Sequence, residues 1–380
     1  MSTPPAPPPP ASTPTTKKSS YQPQLDGLRG VAILMVFFHH AAIHVPPWLD
    51  WGQMGVRLFF VLSGYLITLS LWSVRARQLE TNQSIAASMG DFHRRRILRL
   101  APAFLLALGI GYVVGIQDVV DYWVWHLTFI SNFLTLKLGY WPGATAHFWS
   151  LAAQEQFYLV WPFVVFFLPR RYFPWALLVM VFVAWGFRLV TFQMGVSPFI
   201  RWVMLPASLD SFAIGGLLAW LKRSSGGLPT LPAGWRGAGL AILVLAIWFL
   251  NRWIRIYEPG YIFDSSVELL EAICAAYIVL GTMPGWKGLL GWTLKRPWLI
   301  TLGRISYGVF VYHLFIMVLL RPGFEAAGYP PKDYSWLWAS VTLTITVFIS
   351  YFSYHFVEQP IAQNALAWYS WFVKKLFKPR

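Results

Sequence analysis

The chain has 380 residues, of which 57% are hydrophobic, 18% aromatic and only 12% charged. Soluble domains carry roughly 25% charged residues, so this composition excludes an ordinary soluble protein and points to a polytopic membrane protein. The net charge of +15 would suggest nucleic acid in a soluble chain, but here the basic residues alternate with apolar blocks and read as topology signals and headgroup contacts.

Residues 1–20 are rich in Pro, Ser and Thr and cannot pack a core, so a disordered cytoplasmic tail is expected there rather than a cleavable signal. Beyond them, ten segments approach the ~20 apolar residues that a spanning helix needs. They are 28–45, 54–73, 97–116, 148–168, 174–193, 202–221, 237–253, 266–283, 300–320 and 336–357. The fold class is therefore all-α, a polytopic transmembrane helical bundle of about ten spans, with its membrane domain over 21–360. The stretch 121–136 is apolar but short and is expected as a re-entrant or interfacial helix. Residues 361–380 mix aromatics with lysines and read as a basic interfacial tail.

The first span, within "LDGLRGVAILMVFFHHAAIHV", carries ionisable groups that a lipid-facing helix would not. Arg29 and His40 are eleven residues apart, which puts them on one helical face about 16 Å apart along the axis. His44 continues that face one turn on, whereas His39 points about 100° away. Intramembrane ionisable residues usually face a bundle interior or a water-filled cavity. Three readings of His40 stand open: a ring hydrogen-bonded to a neighbouring helix, a metal ligand, or a proton-transfer group. Adjacent histidines cannot ligate one ion from one helix face and no carboxylate cluster accompanies them, so no metal is expected. A histidine suits proton transfer from a hydroxyl.

Further along, "GDFHRRRILRLAPAFLL" places Arg94, Arg95, Arg96 and Arg99 at the start of a span. The positive-inside tendency accounts for part of this cluster. Arg96 and Arg99, three apart on one face, also suit a phosphorylated ligand, because guanidinium forks match phosphate oxygens. The segment "FWSLAAQEQFYLVWP" puts Gln154, Glu155 and Gln156 in an otherwise apolar helix. Glu155 there is either a carboxylate that orients a histidine or an acceptor hydroxyl, or a water-exposed interfacial group.

With the N-terminus in the cytoplasm, inside segments collect clusters such as Arg94, Arg95 and Arg96, Arg170 and Arg171, and Lys295 and Arg296. Outside segments hold only Lys137, Arg201, Arg252, Arg255, Arg321 and Lys332. Both termini are therefore expected in the cytoplasm.

The pieces "LDGLRGVAILMVFFHH", "GQMGVRLFFVLSGYLI", "RRRILRLAP", "WSLAAQEQFYLVWP", "LDSFAIGGLLA", "GRISYGVFVYHLFI" and "VEQP" occur in this order over nearly all of 21–360. Together they resemble acyltransferase family 3, integral membrane proteins that modify exported glycans, lipids and small molecules. The resemblance implies that His40 is the catalytic histidine, that Arg29 is the basic residue paired with it in the family pattern, and that Asp26 is the acid preceding that arginine. It also implies that Arg96 and Arg99, with Arg95 beside them, serve acyl-CoA. Two positions depart from the family pattern. Gln154 stands where a glutamate is usual, with Glu155 next to it. Ser208 replaces a common arginine, which removes the usual partner of Asp210.

The expectation is an O-acyltransferase, most simply an O-acetyltransferase of the bacterial cytoplasmic (inner) membrane. It would take acetyl-CoA as co-substrate from the cytoplasm and a carbohydrate or other hydroxyl acceptor outside. Arg29 would either hold CoA phosphate or tune the site. Some family members carry a fused extracytoplasmic domain, and none is expected after the last span here. A proton-coupled transporter or flippase, with His40 as relay, is the competing class.

Overall fold

The computed structural model describes residues 21–43, 50–224, 232–257 and 261–365. The tail 1–20, His44 and the interfacial tail from 366 lie outside these described residues. Each expected span is met by a helix: α1 (Pro23–His40), α2 (Trp51–Thr81), α3 (Ile85–Val113), two short helices α4 (Gln117–Leu127) and α5 (Ser131–Leu138), α6 (Phe148–Phe167) and α7 (Phe173–Gln193). There follow α8 (Pro198–Val203), α9 (Leu209–Ser224), α10 (Ala233–Tyr257), α11 (Tyr261–Thr282), α12 (Gly288–Leu294), α13 (Pro297–Arg304), α14 (Ser306–Ala326) and α15 (Ser335–Ser353). Among the described residues, seven helices are long and apolar enough to cross a membrane. The other three long elements are α1, which carries Arg29 and two histidines, α6, which carries Gln154, Glu155 and Gln156, and α9, which has 16 residues.

Several boundaries differ from the sequence expectation for local reasons. The first helix begins at Pro23, where a fixed φ suits a first turn, and ends at His40 rather than 45. The expected single helix at 121–136 is two, broken where Phe129 takes a left-handed φ of 54°. The 202–221 window is interrupted by a 3-10 turn, Leu205–Ser208, containing Pro206. The 300–320 window is divided between α13 and α14 at Ile305. At the other end, α15 passes through a π turn, Tyr354–Glu358, and the helix runs on to Ala365.

Small residues let the helices approach closely, which is how packing proceeds where lipid supplies no hydrophobic drive. A Cβ on Gly64 of α2 would collide with the Phe212 carbonyl of α9, and one on Gly215 of α9 with the Val61 carbonyl of α2. Around this seam Phe157, Phe212 and Phe60 stack, with ring centroids 4.2 and 4.6 Å apart. Trp161 donates from Nε1 to Thr68 Oγ1 at 2.8 Å. The start of α1 is pinned by Gln24, whose Oε1 accepts from Trp286 N at 2.8 Å and whose Nε2 donates to Trp286 O at 3.1 Å. Arg29, near the start of α1, shares one end of the bundle with the α3 arginines and Arg304, whereas α1 finishes at its other end in His39 and His40.

Candidate active site

At the arginine-rich end a cavity of about 550 Å³ opens between α1, α2, α3, α6 and α14. Five arginines line it, Arg29, Arg95, Arg96, Arg99 and Arg304, against a single carboxylate, Glu358. Arg29, the cluster on α3 and the end of α13 are far apart in sequence, and helix packing brings them together. Arg96 is bound to Glu155: its Nη2 donates to Oε1 at 2.9 Å and its Nε to Oε2 at 3.4 Å. Its guanidinium also lies 3.1 Å from the centre of the Tyr158 ring. Neighbouring Gln154 accepts from Ser63 Oγ at 3.2 Å. Glu155 thus turns toward Arg96, while Gln154 one position earlier lines the cavity. Among the described residues, no carboxylate lies within ion-pairing distance of Arg29, Arg95 or Arg99. Asp26 sits outside the lining, accepting from Tyr21 OH at 2.9 Å and 3.7 Å from Arg304 Nε.

Phe60, Ser150, Leu151 and Phe310 also line this cavity. One turn beyond Phe310 lies a cluster of three histidines from three elements. His313 Nε2 is 3.1 Å from His40 Nδ1, the His147 and His313 rings are 4.8 Å apart, and His40 and His147 are 6.4 Å apart. Phe310, which lines the cavity, also packs on His147 and His313 at 5.0 and 5.8 Å. His147 and His313 are buried, whereas His40 is partly exposed.

Backbone carbonyls fix the tautomers. His313 Nδ1 is 2.7 Å from Phe310 O, so it carries hydrogen there and its Nε2 is an acceptor. His40 Nδ1 is 2.9 Å from Val36 O and faces that His313 acceptor, so it too carries hydrogen. The lone pair of His40 Nε2 is left for chemistry. His39 points elsewhere, with Nδ1 3.3 Å from Asp50 Oδ1. Among the described residues, no group of three or more His, Cys, Asp or Glu is placed to hold a metal ion.

A second polar assembly lies on the histidine side. Arg57 of α2 pairs with Glu268 and, at 2.9 Å, with Glu271 of α11. Arg188 of α7 reaches Asp210 of α9 at 2.8 Å and Glu268 at 3.2 Å. Asp210 therefore has an arginine after all, supplied by α7 in place of the residue missing at Ser208.

Arg29, His40 and the α3 arginines stand out in the sequence, whereas His147, His313, Arg57, Arg188 and Arg304 join them only in the fold. The signal for His313, Arg57 and Arg188 was present, since each is an ionisable side chain inside an apolar run. His147 precedes its span, and only the fold carries it inward.

The fold is that of a multi-pass helical membrane protein, with an anion-suited cavity at one end and a tautomer-fixed histidine beyond it. The family model described as an acyltransferase domain matches residues 22–355, and the chain belongs to that family. It is 31% identical to a Bacillus subtilis protein, YrhL, provisionally named a peptidoglycan O-acetyltransferase, over 90% of this chain and 55% of that one. It is 25% identical to the O-acetyltransferase OatA of Staphylococcus aureus, over 93% of this chain and 59% of that one. The chain thus spans a little over half the length of these curated relatives. No solved structure matches it.

Proposed function

We propose that the protein is an O-acetyltransferase that takes acetyl-CoA at the arginine-rich end, facing the cytoplasm, and passes the acetyl group to a hydroxyl of an extracytoplasmic carbohydrate. Arg29, Arg95 and Arg99 hold the donor's phosphates, while Glu155 and Tyr158 keep Arg96 oriented beside them. The thioester reaches past Phe310 toward His40. There Nε2 of His40 takes the proton of the acceptor hydroxyl as its oxygen attacks the thioester carbonyl. The C–S bond breaks, the new ester C–O bond remains, and the imidazolium returns its proton to the departing CoA thiolate. While positively charged, the ring is steadied by Val36 O and His313 Nε2, both of which accept from its Nδ1–H.

The observation that carries this reading is the coexistence of unpaired arginines in one cavity and, one turn beyond its wall, a histidine with one nitrogen free. The relatives named for O-acetylation support the choice of acetyl and of a carbohydrate acceptor. The test compares ester-linked acetate on surface glycans of cells with and without the gene. Loss of acetate without the gene and its return on complementation are expected. Unchanged acetate, with solute transport altered instead, would favour a carrier in which His40 relays protons.

A further inference from the structure

We infer that a second cavity, on the histidine side, is the acceptor subsite and takes a single uncharged sugar unit. This inference rests on the acyl-transfer reading above. The cavity has a volume of about 220 Å³ and lies among α2, α7, α8, α10 and α11. Pockets for drug-sized ligands span about 300–1,000 Å³, so this one suits one ring rather than a chain.

Its charge separates it from the donor cavity. Three arginines (Arg57, Arg188 and Arg201) face three carboxylates (Asp50, Glu268 and Glu271). Arg57 and Arg188 are tied to Glu268 and Glu271 by the ion pairs described above. The donor cavity, with five arginines to one carboxylate, favours a polyanion. A balanced lining instead favours a neutral ligand that exchanges hydrogen bonds, because a net charge would meet repulsion from one half of it.

The remaining lining fits a sugar. Asn251 donates from Nδ2 to Ile247 O at 2.9 Å, which leaves its carbonyl oxygen as an acceptor for a hydroxyl. Gln53 supplies a second amide from the first turn of α2. Trp202, anchored by its Nε1–H to Glu268 Oε1 at 3.0 Å, offers an apolar face of the kind that packs on sugar C–H groups.

The position is also right. Asp50 both lines this cavity and contacts His39, and the His39 and His40 rings are 5.3 Å apart. On this inference a sugar seated here extends a hydroxyl past Asp50 and His39 toward His40. The first cavity is thus matched to a phosphorylated donor, and this one, linked to His40 through Asp50 and His39, to an uncharged acceptor.

Gln53→Leu and Asn251→Leu test the assignment, because neither side chain belongs to the ion-pair network that ties α2, α7, α9 and α11 together. Each variant is expressed in cells lacking the gene, and ester-linked acetate on surface glycan is measured. Binding of labelled acetyl-CoA is measured on the same purified proteins. Each variant should lower glycan acetate by roughly two- to tenfold, the effect of one lost neutral hydrogen bond, with donor binding unchanged. Wild-type acetate in both variants would overturn the assignment while leaving acyl transfer intact. A parallel fall in donor binding would also overturn it, since the cavity would then serve the donor or the fold. If the wild-type gene itself restores no glycan acetate, the acyl-transfer reading fails first and this assignment fails with it.

Discussion

Replacing Arg96 by alanine leaves Glu155 as a carboxylate without its cation. The two side chains are only 17% and 21% exposed, so water replaces little of what is lost. Removing one partner of a buried ion pair costs about 3–5 kcal/mol, and the residual exposure here brings the expectation to about 2–3 kcal/mol. Losing the guanidinium from the Tyr158 ring adds up to about 1 kcal/mol. Arg96→Ala should therefore lower the thermal midpoint of the detergent-solubilised protein and the yield of monodisperse material. The double variant Arg96→Ala with Glu155→Gln removes the orphaned charge and should recover most of that stability. Its donor KM should rise less than that of Arg99→Ala, because Arg96 is already engaged by Glu155. Thermal unfolding and donor kinetics on the four proteins of the cycle decide the matter. A double variant as unstable as Arg96→Ala would refute the pairing argument. So would a fully stable Arg96→Ala whose only defect is donor affinity, which would return Arg96 to the role of a direct phosphate ligand.

Arg29→Gln and Arg99→Gln should each raise the donor KM roughly ten- to a hundredfold, the loss of one charge-assisted contact of about 1.5–3 kcal/mol, with the acceptor KM little changed in initial-rate measurements. His40→Ala should lower kcat by about 10²–10⁴ while labelled acetyl-CoA still binds; His39→Ala, whose ring faces Asp50, should cost far less. Gly215→Val should prevent α2 and α9 from meeting, since even a Cβ there collides with backbone, and should be read as loss of folded protein in size-exclusion chromatography. Reporter fusions should place the C-terminus in the cytoplasm; an outside C-terminus would move the arginine cavity away from CoA.

The helices were largely legible because long apolar runs leave a chain in lipid few alternatives to helix. What escaped were breaks that depend on single residues: Phe129 in the left-handed region, Pro206 before α9 and the junction at Ile305. Arg29 and the α3 arginines could be read locally, each being a charge in or beside an apolar run. That they share one cavity with Arg304 could not, because it depends on α1 packing against α13, whose residues lie some 270 positions away. Glu155 illustrates a different limit. The sequence left it either orienting a histidine or an acceptor hydroxyl or facing water, and its pairing with Arg96 depends on where α3 lies. His313 was visible as an ionisable residue among apolar neighbours, yet its part in fixing the His40 tautomer rests on a contact across 273 positions. The partner of Asp210 is not next door in sequence, where Ser208 stands, but Arg188 on another helix.

The central proposal is that acetyl passes from a donor cavity at the arginine-rich end directly to an acceptor hydroxyl on the other side, with His40 taking that hydroxyl's proton. Its most direct test uses purified protein in sealed vesicles with known orientation, labelled acetyl-CoA on the arginine-rich side only, and surface glycan on the opposite side only. The account predicts that label appears in ester linkage on the glycan, that CoA accumulates on the donor side, and that His40→Ala abolishes both while retaining donor binding. Transfer that proceeds equally well in His40→Ala, or only when donor and glycan share a compartment, would contradict it.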